Sequence, residues 1–163
     1  MHGQKYFDSY SVEFSENGTI DLDRYDAYKL FSLNANSINL FSIHGGNRLQ
    51  KNMLPRDLET NLEIPLSFDA NSRSNLTFSW DNIDALPNDW DVMLIDKQEN
   101  REIDLHVAEK YQFSVSSDVD EQTADKRGLL NKRKGSKESS RFVLSLIPNV
   151  KMSSGQNIPE SVK

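Results

Sequence analysis

The sequence contains no cysteine, which excludes disulfide bonds, thiolate metal sites and cysteine nucleophiles. It also lacks a long apolar run: hydrophobic residues make up 36% of the chain and the mean hydropathy is −0.66, so we predict no membrane-spanning segment and no membrane insertion. The 25 acidic residues outnumber the 19 basic ones, and the net charge of −6 argues against nucleic acid as a partner. A chain of 163 residues has the length of one domain and can bury a core of its own.

Residues that carry catalysis are equally scarce. The three histidines, His2, His44 and His106, do not have the spacing of metal ligands. The chain has no Gly-x-Ser-x-Gly elbow, and Gly45-Gly46 alone indicates a turn and not a phosphate-binding loop. We therefore predict a protein that is not an enzyme, with no catalytic residues.

Short runs in which apolar and polar residues alternate recur along the chain, whereas helical spacing is not sustained over three turns. This pattern is typical of strands separated by polar turns, and it predicts an all-β fold, an antiparallel β-sandwich of jelly-roll or immunoglobulin-like topology. We expect Pro65 to place its strand at a sheet edge, because proline cannot donate to a ladder. About eight strands are predicted, at residues 10–14, 38–43, 62–68, 76–80, 90–96, 102–105, 111–115 and 142–147.

Composition divides the chain into three parts. Residues 1–9 are predicted to be a flexible N-terminal segment, and residues 10–148 the β-sandwich domain. Within the domain, residues 116–140 are rich in charge and poor in apolar side chains, so we expect a long mobile hairpin connection between the strands on either side. Residues 149–163, with serine, glycine, glutamine, asparagine and proline, are typical of a linker.

The densest acidic cluster contains Asp21, Asp23 and Asp26. Calcium binds six to eight oxygens, and such a loop can supply several, which makes these three residues the candidate metal ligands and calcium the candidate ion. The cluster lacks the glycine and the distal glutamate of an EF-hand. The alternative interpretation is favoured: Asp21 or Asp23 caps a short turn, the other aspartates are solvated and no cofactor is needed, since short acidic side chains are common in turns.

Exposed aromatic side chains can form a platform for sugar rings, but the positions of the two tryptophans within their strands argue against this role. Trp80 and Trp90 are in register with the apolar residues of their strands, so we expect both to pack in the core.

The basic run at residues 126–134 resembles a polyanion-binding segment. Because acidic residues precede it and no aromatic residue lies within it, we interpret it as a solvated loop; docking on an anionic surface is a weaker hypothesis.

Several strand segments resemble a β-sandwich module of large secreted proteins of Bacteroidetes. The resemblance covers residues 10–148 and lies in YDAYKL at 25–30, INLFSI at 38–43, LEIPL at 62–66, WDVMLIDK at 90–97, YQFSV at 111–115 and RFVL at 141–144. In that family the module precedes a C-terminal sorting domain of the type IX secretion system, and no catalytic motif carries over. Residues 116–140 depart from the family pattern, which has a short turn there.

The resemblance implies a protein that is exported, with an extracellular or outer cell-surface location. We expect a non-catalytic spacer or adhesion-type module whose partners are the neighbouring domains of a larger protein. The alternative is a carbohydrate-binding module, assisted by calcium at Asp21, Asp23 and Asp26, with a glycan as partner and ligand-binding residues that the sequence does not identify.

Overall fold

The computed structural model describes residues 6–34, 37–70, 75–87, 89–115 and 140–149. Of the described residues 51% lie in strands and 3% in a single 3₁₀ turn at Ile83–Ala85, so the predicted all-β fold is confirmed. Within the described ranges no helix has the length and apolar character needed to cross a membrane. The strands are β1 Ser11–Ser15, β2 Ala27–Tyr28, β3 Asn39–His44, β4 Asn47–Pro55, β5 Leu62–Asp69, β6 Asn75–Ser79, β7 Trp90–Asp96, β8 Arg101–Asp104, β9 Lys110–Ser114 and β10 Phe142–Pro148.

Eight of these strands form one large sheet in the order β1-β4-β3-β5-β10-β7-β8, with β2 paired to β4 outside this path. All pairs are antiparallel except β1 with β4, which is parallel. Strands β3 and β4 are joined by a two-residue hairpin in which Gly45 and Gly46 have φ of 56° and 79°. Positive φ at both positions is what this kind of tight hairpin requires, and glycine adopts it without a steric penalty.

Strands β6 and β9 form a second, two-stranded sheet. It packs on the large sheet through aromatic rings: the Phe142 ring centroid lies 4.7 Å from that of Phe113 and 4.9 Å from that of Phe78. Phe68 of β5 adds a further edge contact, 5.4 Å from Phe113. These contacts between alternate residues of facing strands form the centre of the sandwich core.

The large sheet is curved. Phe14 of β1 and Trp90 of β7 belong to strands that are five places apart in the sheet, and yet their rings meet edge to face at 5.5 Å. The curvature encloses the core, in which Leu54, Val92 and Leu146 are buried. Trp90 lies in this core, as predicted, and Trp80 packs against it.

The structure corrects three of the predictions. Ten strands are present in the described ranges, since β2 and β4 were not predicted. Strand β5, with Pro65, lies inside the sheet between β3 and β10, and not at an edge. Proline is tolerated there because β3 pairs only with residues 66–69, which leaves Pro65 opposite Val143 of β10 alone.

The third correction concerns the hairpin predicted across residues 116–140. Strand β9 pairs with β6 in the small sheet, whereas β10 pairs with β5 and β7 in the large one, so the two strands do not form a hairpin. The connection passes from one sheet to the other. Residues 116–139 lie outside the described residues, as do most of the predicted linker, residues 150–163, and the start of the N-terminal segment.

Candidate functional site

The three predicted metal ligands lie in the loop between β1 and β2. Asp23 Oδ1 accepts a hydrogen bond from the backbone N–H of Tyr25 at 2.6 Å, and Asp23 Oδ2 lies 3.0 Å from the hydroxyl of Thr19. Asp26 Oδ2 accepts from the N–H of Asp23 at 2.8 Å. Two of the three carboxylates are thus used to hold the shape of the loop, as capping aspartates do.

Asp26 also attaches the loop to the large sheet. Its Oδ1 accepts a hydrogen bond of 2.8 Å from the backbone N–H of Met53 in β4. Asp21 is exposed, and its carboxylate has no hydrogen bond to another described residue. The loop therefore brings Asp23 and Asp26 together, whereas the Asp21 side chain is exposed and takes no part in this contact.

The charge state of the loop follows from these contacts. The hydrogen bond from the backbone of Tyr25 contributes most to holding the pKa of Asp23 below its usual value, with smaller contributions from Thr19 and Asp26. Asp23 is therefore ionised at neutral pH. In the described part of the chain, no three acidic or histidine side chains are arranged as a ready-made metal site. A calcium ion here would have to share or replace the hydrogen bonds that the aspartates already accept.

The aromatic side chains predicted to be internal are not available as a sugar platform. Trp90 is only 8% exposed, and Trp80 donates from Nε1 to the carbonyl oxygen of Leu105 at 3.0 Å. Two aromatic residues near the chain start behave differently: Phe7 is 89% exposed and Tyr28 is 61% exposed. Tyr28 follows Asp26 by two residues, so it is an exposed aromatic ring close to the acidic loop in sequence.

A second cluster of charges, which was not predicted from the sequence, lies at the end of β7. Asp96, at the end of β7, is fully buried and is held by a two-pronged interaction with Arg141: Nε to Oδ1 at 3.0 Å and Nη2 to Oδ2 at 2.8 Å. The hydroxyl of Tyr111 donates to Oδ2 at 3.0 Å, and the N–H groups of Gln98 and Glu99 donate to Oδ1. This geometry satisfies a buried carboxylate with five donors.

Arg141 is the centre of this cluster. Its Nη1 donates to the carbonyl oxygen of Ser114 at 2.8 Å, and its guanidinium lies 4.9 Å from the ring centroids of Phe113 and Phe142. Ser114 ends β9 and Arg141 immediately precedes β10, so the contact joins the two ends of the connection between the sheets. The cluster therefore fastens the β7–β8 hairpin, β9 and β10 together.

Burial acts to raise the pKa of Asp96, but the hydrogen bonds from Arg141, Glu99 and Tyr111 outweigh it and hold this pKa below its usual value. The pKa of Tyr111 is raised, first by burial and then by its bond to the ionised Asp96. The cluster is thus a buried pair of opposite charges at neutral pH. Its arrangement is that of a structural clamp.

The remaining sequence candidates are dispersed. His44 ends β3, and His106 Nε2 lies 3.1 Å from the carbonyl oxygen of Trp90. His2 and the basic run at residues 126–134 lie outside the described residues. Asp96 and Arg141 could not be recognised as partners from the sequence because 45 positions separate them. The same holds for Lys29 and Asp8, which are 21 positions apart.

Comparisons of the chain with models of protein families, with curated proteins and with solved structures find no match. Family membership is therefore not assigned, and the resemblance to the secreted module stays a prediction.

Proposed function

We propose that this domain is a non-catalytic β-sandwich module that serves as a spacer or adhesion-type unit in a larger exported bacterial protein. Its role is to hold a neighbouring domain at a distance from the membrane and from the sorting signal. A spacer of this kind transmits tension between its two chain ends, so the position of its terminal strands decides how well it resists unfolding.

The observation that carries the proposal is the position of the last strand. β10 lies in the interior of the large sheet and is paired with β5 on one side and with β7 on the other. A pull on the C-terminal side of the domain must therefore break two ladders at once. Phe142, Val143 and Leu146 are also buried, which adds the cost of exposing a core segment.

The Asp96–Arg141 clamp supports the same role. It is attached at the residue that precedes β10 and connects it to β7 and β9 by side-chain and backbone contacts. The clamp fixes the strand where it enters the sheet, so a pull that has separated β10 from its neighbours must still break the Arg141 contacts before the strand is released.

Single-molecule stretching of the domain, inserted between reference domains of known strength, tests this proposal. We expect one cooperative unfolding event at a force at least equal to that of the reference domains. Leu146→Ala, in the buried centre of β10, should lower this force, while Val107→Ala, at an exposed loop residue, should not. Unfolding below the reference force, or equal effects of the two variants, would refute a mechanical role.

The location is tested separately on intact cells of the source organism. Protease added outside the cells should degrade the domain, as detected with an antibody against it. Degradation that requires lysis of the cells would contradict export to the surface.

A second candidate function is carbohydrate binding assisted by calcium at Asp21, Asp23 and Asp26. The observation in its favour is the exposed ring of Tyr28 close to this ionised loop. A glycan array with the purified chain, in calcium and again in chelator, tests it. Binding that is lost in chelator and in Asp23→Asn supports the candidate, and a blank array in both conditions refutes it.

A further inference from the structure

A cavity of about 220 Å³ lies between the segment before β1 and the segment that joins β2 to β3. This is ample for more than one water molecule, which needs about 10–15 Å³, and smaller than the roughly 300 Å³ or more of pockets for drug-sized ligands. Its size suits one small molecule. Its polar lining residues include Asp8, Lys29, Ser32 and Ser37, and its apolar lining residues include Phe7 and Leu30.

Two of the lining residues form an ion pair in which Lys29 is buried and Asp8 is half-buried. The side chain of Lys29 is 2% exposed, and its ammonium is hydrogen-bonded to Asp8 Oδ2. The same oxygen accepts from the backbone N–H of Leu40 at 2.7 Å. The pair is thus anchored to β3, although Asp8 itself precedes the first strand.

This ion pair leaves hydrogen-bonding capacity on both of its members. An ammonium carries three donors, and Asp8 is the partner of Lys29 Nζ within the part of the chain that the structure describes. Asp8 Oδ1 likewise accepts no hydrogen bond from a described residue. The buried ammonium of Lys29 needs further acceptors, since an unmatched buried donor is costly, and the half-buried Asp8 carboxylate can accept a further hydrogen bond.

The charges and the walls of the cavity restrict the chemistry of a partner. The +1 charge of Lys29 and the −1 charge of Asp8 cancel, so a neutral ligand is favoured over an ion. The ligand must accept from the ammonium and donate to the carboxylate, and a hydroxyl group does both. Apolar contacts are available as well, because Leu30, which is 84% exposed, and Phe7 are among the residues that line the cavity.

A sugar ring combines these properties: hydroxyl groups around its edge and apolar C–H groups on its faces. We propose that the cavity between Asp8, Lys29 and Leu30 binds a single neutral sugar ring, either a free monosaccharide or the end of a glycan. Lys29 and Asp8 contact its hydroxyl groups, and Leu30 and Phe7 contact a face. This inference goes beyond the spacer role and places carbohydrate binding away from the acidic loop, so it does not require calcium.

Titration of the isotope-labelled full chain with D-glucose, D-galactose, D-mannose and N-acetyl-D-glucosamine, followed by changes in amide NMR shifts, tests the site. We expect at least one sugar to give saturable changes at Asp8, Lys29 and Leu30, with the millimolar affinity usual for about a dozen non-hydrogen atoms. Chelator should not alter the response. Inorganic phosphate should not bind, because the site carries no net charge.

Two exposed leucines supply a matched pair of variants. Leu30→Ser removes an apolar wall of the cavity and should weaken binding about fivefold. Leu33→Ser changes a leucine that is also highly exposed but does not line the cavity, and it should leave binding unchanged. Lys29→Met should weaken binding about tenfold or more, since a charged donor is lost. Because Lys29→Met can also disturb folding, the comparison of the two leucine variants decides the matter.

Four results would overturn the inference: no saturable change with any of the four sugars, equal binding by the two leucine variants, binding of phosphate in place of sugar, or sugar binding that chelator or Asp23→Asn abolishes. The last result would leave the second candidate function standing and would locate it at the acidic loop. Binding lost in Leu30→Ser and retained in chelator supports the cavity.

Discussion

Replacing Arg141 by methionine tests the clamp that Arg141 and Asp96 form at the end of β7. Methionine keeps much of the packing on Phe113 and Phe142 but removes both hydrogen bonds to Asp96 and the one to Ser114. Removal of one partner of a buried ion pair costs about 3–5 kcal/mol. Because the hydroxyl of Tyr111 and two backbone N–H groups still reach Asp96, we expect the lower end, about 3 kcal/mol.

Urea unfolding followed by tryptophan fluorescence measures this cost, and calorimetry should show a Tm lower by roughly 10 °C. The matched control is Lys51→Met, which breaks the exposed pair with Glu13 at 3.3 Å and should cost about 0.5 kcal/mol or less. If Arg141→Met costs no more than this control, the buried clamp is refuted.

The pH dependence of the same two proteins gives a second check. The pKa of Asp96 is lowered in the folded state, so its contribution is present above its unfolded pKa of about 4 and is lost as the pH falls through the folded value. The difference in stability between the natural protein and Arg141→Met should therefore shrink as the pH falls below about 4. A constant difference would contradict the assignment.

Three further predictions concern the core and the turns. Trp90→Ala should cost about 3–5 kcal/mol in urea unfolding, since it removes a buried ring, and an unchanged midpoint would contradict its placement. Gly18→Ala should cost about 1–3 kcal/mol, because a Cβ atom there would lie 2.2 Å from the carbonyl oxygen of Leu54; equal melting temperatures would refute this contact. Burial raises the pKa values of Tyr10 and Tyr111, so their contribution is complete below the unfolded pKa of about 10 and is lost above it. Ultraviolet titration of the natural protein and of its Tyr10→Phe and Tyr111→Phe variants should show that these two tyrosines ionise late, together with unfolding; ionisation of Tyr10 and Tyr111 near pH 10 in the folded protein would contradict it.

β7 could be predicted because apolar side chains recur at every second position along most of its buried face. Trp90, Val92 and Leu94 alternate with exposed or half-buried residues in β7, and the burial pattern follows that alternation. In β4 the alternation is broken by Asn52, a polar residue at a buried position. For this reason the strand was not predicted. Asn52 is tolerated there because its Oδ1 accepts from the hydroxyls of Tyr10 and Ser42, both at 2.6 Å.

Strand order and the charged clusters could not be predicted for a different reason. Alternation says which face of a strand is buried but not which strand lies beside it, so the placement of Pro65 and the pairing of β9 depended on tertiary structure. Asp96 and Arg141 carry no motif, and only the approach of β7 to β10 makes them partners. The acidic loop could be recognised from its high content of aspartate. Its hydrogen bond to the backbone of Met53 could not, because that contact depends on the position of β4.

Native-state hydrogen exchange tests whether β10 is held in the interior of the large sheet, between β5 and β7. We predict that the hydrogen-bonded amides of β10 exchange only through global unfolding, with the same free energy as that measured in urea. The amides of β8, at the end of the sheet, should exchange faster through local opening. Exchange in β10 as fast as in β8 would contradict the described sheet order and, with it, the proposed mechanical role.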